Sequence, residues 1–148
     1  MIRTDHNIDN YERFAADIAV VEQQCFHDPW SVQSVLSLYE NPDAIVAAEY
    51  DDGEICGELM ARCAADECEL YRIAVLPQHR GKGCAKRLIS HLIATCKERG
   101  ISSIFLEVRQ SNAPATALYE RSGFEPVSVR KNYYKEPVED AVIYVLKL

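Results

Sequence analysis

The chain has 148 residues, 48% of them hydrophobic, and 23 acidic against 16 basic side chains give a formal net charge of −7. That length suits one domain over 1–148, able to bury roughly two-thirds of its unfolded surface without staples, and the acidic balance argues against nucleic acid as a partner. No apolar run approaches the ~18 residues of a membrane span, and Arg3, Asp5 and His6 precede no apolar block that would read as a secretory signal, so a cytoplasmic protein with no membrane partner is expected.

Residues 9–27 carry Tyr11, Phe14, Ile18, Val21 and Cys25 at helical spacing, which predicts a first helix. After the loop His27-Asp28-Pro29-Trp30, Ser31 is the candidate N-cap of a short second helix through Tyr39, stopped by Asn41-Pro42. Three strands follow at 44–50, 54–62 and 67–75, and Asp51-Asp52-Gly53 between the first two is a hairpin signal. A basic glycine segment leads into a helix with Ala85, Leu88, Ile89, Leu92, Ile93 and Cys96 on one face, ended by Gly100. Residues 103–108 read as a strand, and Asn112 caps a short helix to about Arg121. Ser122-Gly123-Phe124 then turns the chain into a strand at 125–130. The polar, tyrosine-bearing residues 131–139 are expected as a loop, and 141–146 as the last strand. The order predicts an α/β protein with a mixed, mostly antiparallel sheet and helices on both faces. The crossover around the glycine segment makes one neighbouring strand pair parallel.

The glycine segment carries the most chemistry. Arg80, Gly83 and Ala85 fit Arg/Gln-x-x-Gly-x-Gly/Ala, with Gly81 inside. Small residues let the chain wrap a phosphate with its N–H groups pointing inward, at the positive end of a helix dipole. A nucleotide-hydrolysing P-loop is excluded because Gly81-Lys82 is followed by Gly83 and not by Ser or Thr. A dinucleotide fingerprint fails because Lys86 holds the third glycine position.

Six cysteines, at 25, 56, 63, 68, 84 and 96, include no Cys-x-x-Cys, and the four histidines show no ligand spacing; buried, inert thiols and no metal are expected. The net charge also hides a split: residues 1–70 carry −13 and residues 71–148 carry +6. A basic half suits a phosphorylated cofactor and an acidic half a cationic substrate.

The loop Arg80–Ala85, the strand Phe105-Leu-Glu-Val-Arg109, Ser111-Asn112-Ala113-Pro114-Ala115, Leu118-Tyr119-Glu120 and Gly123-Phe124 together resemble, in order and spacing, the GNAT superfamily of N-acetyltransferases. Asp28-Pro29-Trp30-Ser31, Leu106-Glu107-Val108-Arg109 and Arg130-Lys131-Asn132-Tyr133-Tyr134 are similar, more narrowly, to the bacterial enzymes that acetylate the N-terminal alanine of a ribosomal protein. The resemblance implies the acyl-CoA N-acyltransferase fold, with a parallel strand pair splayed around acetyl-CoA. It places Ile73, Ala74 and Val75 beside the pantetheine amides, and Arg80 at the head of the cofactor loop. Gly81, Lys82, Gly83, Cys84, Ala85 and Lys86 would hold the pyrophosphate through main-chain N–H groups, and Asn112 would contact the cofactor. Glu107 matches the general base and Tyr119 the acid that protonates the departing thiolate. Pro114 departs from the pattern but is tolerated in a first helical turn.

The chemistry agrees with those roles, since acyl transfer needs a neutral amine, a polarised carbonyl and a protonated leaving thiolate. A phenol at ~10 donates to a thiolate at ~8.5 without a steep climb. Without the resemblance, Glu107 reads equally as the ion-pair partner of Arg109, and Tyr119 as a core tyrosine. An α-amine (~7.8) is neutral far more often than a lysine (~10.4), a difference worth ~3.5 kcal/mol, which favours a protein N-terminus as acceptor. The acidic half suits a basic, ribosomal-type tail. Trp30, Tyr133 and Tyr134 are the candidates to line a peptide groove, with packing of an anchored loop the other reading of Trp30. Two alternatives stay open: acetylation of lysine or of a small-molecule amine, and a non-catalytic acyl-CoA sensor.

Overall fold

In chain order the computed structural model contains β1 (Ile2–Arg3), α1 (Tyr11–Cys25), α2 (Val32–Tyr39), β2 (Ala44–Asp51), β3 (Glu54–Ala64), β4 (Glu67–Val75), α3 (Cys84–Glu98), β5 (Ser103–Arg109), α4 (Ala113–Arg121), β6 (Glu125–Lys135) and β7 (Val138–Lys147). It describes residues 1–4 and 10–148. The expected helix start at Asp9, together with Asp5 and His6, lies outside the described residues. Among the described residues no helix is long and apolar enough to cross a membrane.

The strands form one mixed sheet in the order β1-β2-β3-β4-β5-β7-β6, in which β4–β5 is the parallel pair among the described strands. Local chemistry explains the elements. Ser31 caps α2 by accepting from the Ser34 N–H at 3.1 Å. Asp52 and Gly53, at φ 50° and 82°, form the left-handed two-residue turn that a tight β2–β3 hairpin needs. The predicted stripe of α3 is buried at Leu88, Ile89, Leu92 and Cys96, against Leu59, Leu70, Ile104 and Leu106 of the sheet. Each large side chain so buried contributes roughly 1.5–3 kcal/mol. The opposite face holds a second core, with Phe14, Ala15 and Ile18 of α1 and Val35 and Leu38 of α2 on Val46, Ala48 and Met60.

Strand β4 bonds β3 along its whole length but meets β5 only where Glu67, Cys68 and Glu69 face Ser103, Ile104 and Phe105. Beyond Glu69 the two part, leaving an open seam. The splayed pair expected from the resemblance is therefore present.

One sequence expectation fails. Residues 131–139 are not a loop: β6 runs on to Lys135, and β7 starts at Val138 after a tight turn with a cis Glu136–Pro137 bond. The polarity misleads because β6 is an edge strand, exposed at nearly every residue, so no apolar alternation marks it. The register jumps from Arg130 opposite Ala141 to Tyr134 opposite Glu139, so residues 131–133 bulge. Asp140 shapes that bulge. It accepts from the Asn132 N–H (2.8 Å) and from Lys131 Nζ (3.0 Å), with Asn132 in the left-handed region at φ 54°.

Candidate active site

Glu107 lies on β5. Its neighbours Leu106 and Val108 belong to the core under α3 and α4, so alternation turns Glu107 to the opposite face of the sheet. Its side chain is 18% exposed, and its partner is Arg130, whose Nη1 is 3.3 Å away. The ion pair that the sequence suggests with Arg109 does not form. Arg109 instead pairs with Glu139 and donates to the Glu136 and Pro137 carbonyls at 3.1 and 3.0 Å, clamping the β6–β7 turn.

That clamp sets the tyrosine pair. The Arg109 guanidinium lies 4.2 Å over the Tyr134 ring and that of Arg130 5.4 Å over Tyr133, while the two rings meet edge to face at 5.1 Å. Tyr134 is half-buried on an otherwise exposed strand, while Tyr133 stays exposed beside Glu107. The Tyr133 phenol is held up by its hydrogen bond to Glu107 and by that carboxylate's charge. Tyr134 is raised by burial first and then by Glu107. Glu69, facing Phe105 across the parallel pair, is raised by burial and by the Glu107 charge, so three groups around Glu107 respond to it.

Tyr119, on α4, is 7% exposed and packs against Phe124 and Tyr144 with ring centroids 5.8 and 6.2 Å away. The sequence reading of a simple core tyrosine is thus partly right. Burial pushes its phenol well above the ordinary range, and the Tyr134 hydroxyl pushes it further. Proton transfer from Tyr119 to a thiolate in water is steeper than reference values suggest, so donation favours a thiolate formed in the same dry surroundings. Glu107 and Tyr119 lie on opposite faces of the sheet, and Tyr134, which interacts with both, links them where β4 and β5 have parted.

Ile73, Ala74 and Val75 occupy the part of β4 that has lost β5 as a neighbour, so the main chain on that edge is open to an extended ligand. After Pro77–His79, a single 3-10 turn, Gly81 and Gly83 adopt φ 77° and 82°, and α3 starts without a side-chain cap. The first-turn N–H groups of Cys84, Ala85 and Lys86 therefore have no partner within the helix, which is the arrangement that favours an anion. A diphosphate-bearing thioester fits this donor set. Lys82 and Lys86 are exposed beside it. Cys84 contributes only its backbone there, since its side chain is buried. Arg80 is differently disposed: its Nε donates to the Val75 carbonyl at 2.9 Å and its N–H to Pro77, bracing the turn. Arg87 ties the loop down, donating to the Lys82 carbonyl (2.9 Å) and gripping the buried Glu49 with two nitrogens. Asn112 caps α4 by accepting from the Ala115 N–H at 3.2 Å, and it is exposed.

Trp30 sits apart from the tyrosine pair. It packs on Tyr71 of β4 at 6.1 Å and, with Ser34, Arg62 and Tyr71, lines an open groove of about 440 Å³. In sheet order β4 lies on one side of β5 and β7 followed by β6 on the other, so the strand that carries Tyr71 and the strand that carries Tyr133 and Tyr134 stand on opposite sides of the Glu107 strand.

The sequence reading misses what holds Trp30. Glu22, fully buried on α1, accepts from the Trp30 N–H at 2.9 Å and pairs with Arg72 at 3.4 Å; Arg72 in turn reaches the Asp28 carbonyl and lies 4.0 Å over the Phe26 ring. Glu58 on β3 is also fully buried, and burial together with the Glu22 carboxylate drives it well above the usual carboxylate range. A charged residue inside an apolar run (Glu58 within 55–61, Arg72 within 70–75) was the available signal.

Residues 15–124 match the profile of the family described as the Acetyltransferase (GNAT) family. The [ribosomal protein bS18]-alanine N-acetyltransferase of Haemophilus influenzae is 37% identical over 126 residues, covering 83% of this chain and 85% of that one. The crystal structure of the ribosomal-protein-S18-alanine N-acetyltransferase from Escherichia coli superposes with a TM-score of 0.86 at 31% identity, over 99% of this chain and 92% of the other. A Bacillus anthracis structure in complex with acetyl coenzyme A shares the fold, with a TM-score of 0.71 at 24% identity over 76% of this chain and 67% of that one.

Proposed function

The chain belongs to the GNAT acetyltransferase family, and from that premise we propose that it transfers acetyl from acetyl-CoA to the N-terminal α-amine of a protein, with the alanine of ribosomal protein bS18 as its acceptor. The observation that carries the reading is the seam: β4 and β5 part just where Glu107 stands on one face and Tyr119 on the other. A thioester lying in that seam is open to an amine from the Glu107 side and to a proton from the Tyr119 side.

In this reading the edge of β4 at residues 73–75 orients the pantetheine arm, and the N–H groups of residues 81–86 hold the diphosphate. Lys82 and Lys86 add positive charge, and Asn112 stands at the start of α4, facing the same ligand. The acceptor peptide lies between Trp30 with Tyr71 and Tyr133 with Tyr134. Its amine gives a proton to Glu107 as nitrogen attacks the acyl carbon. The carbon–sulfur bond then breaks, and the sulfur takes the Tyr119 proton. A dry seam favours that last step, because desolvation raises the thiol as well as the phenol. The acidic groups Glu69 and Glu107 beside the tyrosine pair suit a cationic N-terminus.

The test is incubation of the purified protein with acetyl-CoA and peptides that vary in the first residue, read by mass spectrometry. Acetyl on the α-amine of an Ala-initiated peptide is the expected product; acetyl confined to internal lysines overturns the choice of acceptor. Glu107→Gln and Tyr119→Phe should each lower kcat by about 10²–10⁴ while acetyl-CoA still binds. Absence of turnover in the unaltered protein, with acyl-CoA binding intact, identifies a sensor instead.

A further inference from the structure

At the end of the sheet away from the glycine loop, two cysteines of one hairpin meet a third that is distant in sequence. Cys63 and Cys68 face each other across the β3–β4 hairpin, and Cys96 reaches them from the last turns of α3. Their sulfurs lie within 4.8 Å of one another, and all three residues are buried, at 7%, 0% and 0% exposure. No spacing rule finds this set, because the hairpin supplies one contact and a crossover helix the other.

We propose that Cys63, Cys68 and Cys96 form a three-thiolate site for a thiophilic divalent d10 cation of the zinc–cadmium group. The dimensions suit one: with metal–sulfur bonds of ~2.3 Å, three sulfurs around one ion stand about 4 Å apart, so the cluster needs only a slight contraction. The charge suits a divalent ion as well. Three thiolates around it leave one negative charge, and Arg99 is held beside the cluster by the Pro42 and Ala44 carbonyls, to which its Nη1 donates at 3.5 and 3.3 Å. The Cys63 N–H donates to the Asp43 carbonyl at 2.7 Å, fixing that strand end against the same loop. The three thiols release their protons to solvent as their bonds to the ion form. Cys63, beside the exposed Ala65–Asp66 turn, is the route in.

The experiment is titration of the fully reduced protein with Cd²⁺, followed by the ultraviolet thiolate-to-metal charge-transfer band and by thermal melting. One equivalent should saturate the band and raise the Tm. Cys96→Ala and Cys68→Ala should each weaken binding at least about tenfold, whereas Cys25→Ser should not. X-ray absorption on the unaltered protein should count three sulfurs around cadmium, and this measurement stands even if a variant fails to fold. No band, a band that survives Cys96→Ala, or fewer than three sulfurs overturns the site.

Discussion

Gly57 offers the sharpest structural test, because it lies on β3, directly behind the strand that borders the seam, without taking part in any chemistry. It faces Val75 across β3–β4, and a Cβ built on it would come within 2.7 Å of the Ala74 carbonyl oxygen, 2.9 Å of Cys84 Sγ and 3.2 Å of Val75 Cγ2. The first of these is backbone of the strand whose open edge is proposed to bind pantetheine, and the second is the first residue of α3. Relief therefore has to displace β4 or the start of α3 by about half an ångström. Overpacking of this kind costs roughly 1–3 kcal/mol. For a chain of this size that lowers the Tm of Gly57→Ala by about 3–10 °C. Differential scanning calorimetry measures the loss, and initial rates at varied acetyl-CoA should show KM up several-fold with kcat less affected. Gly53→Ala is the control. Its Cβ meets nothing within 4 Å at φ 82°, so it should cost about 1–2 kcal/mol from left-handed strain alone and leave KM unchanged. If Gly57→Ala melts with the parent and binds acetyl-CoA equally well, β4 is not the rigid edge argued for here.

Burial and Glu22 raise the Glu58 carboxyl, so folding favours its protonated form. That contribution is complete below the ordinary carboxylate range and is lost as pH rises through the raised folded value. The Tm should fall as pH rises out of the ordinary carboxylate range toward the raised folded value, and Glu58→Gln should flatten the slope; parallel slopes for the two proteins would rule out Glu58 as its source. Arg87→Ala strips the buried Glu49 of its partner and frees the Lys82 carbonyl. Half of the Arg87 side chain is in solvent, so about 1–2 kcal/mol is expected in place of the larger cost of a fully buried pair. Because Arg87 lowers Glu49, the loss should be full near neutrality and shrink as pH falls below the ordinary carboxylate range. Calorimetric titration with acetyl-CoA should show weaker binding alongside the lower Tm, and a Tm change alone would mean that the loop does not depend on Arg87.

Local signals made much of this legible in the sequence. The α3 stripe, the Asp52-Gly53 turn, the Ser31 and Asn112 caps and the glycine loop each rest on short-range stereochemistry, and the structure agrees at each. What failed depended on distant partners. Residues 131–139 read as loop because an edge strand needs no apolar face, and its bulge is set by Asp140, contributed by the neighbouring strand. Arg109 stands two residues from Glu107 on the same face of β5, but Glu139 and the β6–β7 turn carbonyls engage it, and Arg130 arrives instead from β6. The Glu22–Arg72 strut and the three-cysteine cluster join residues 50 and 33 positions apart, separations at which periodicity is silent.

The short β4–β5 contact has a mechanical meaning. Three paired residues at one end rivet β1–β4 to β5–β7, while α3 packs on the β1–β4 side. The sheet is therefore two stiff plates with a fixed hinge, and a guest wedged into the gap stands in for the missing ladder. Amide hydrogens along the far half of β4 should exchange faster than those in β3 when the gap is empty, and slow once it is filled.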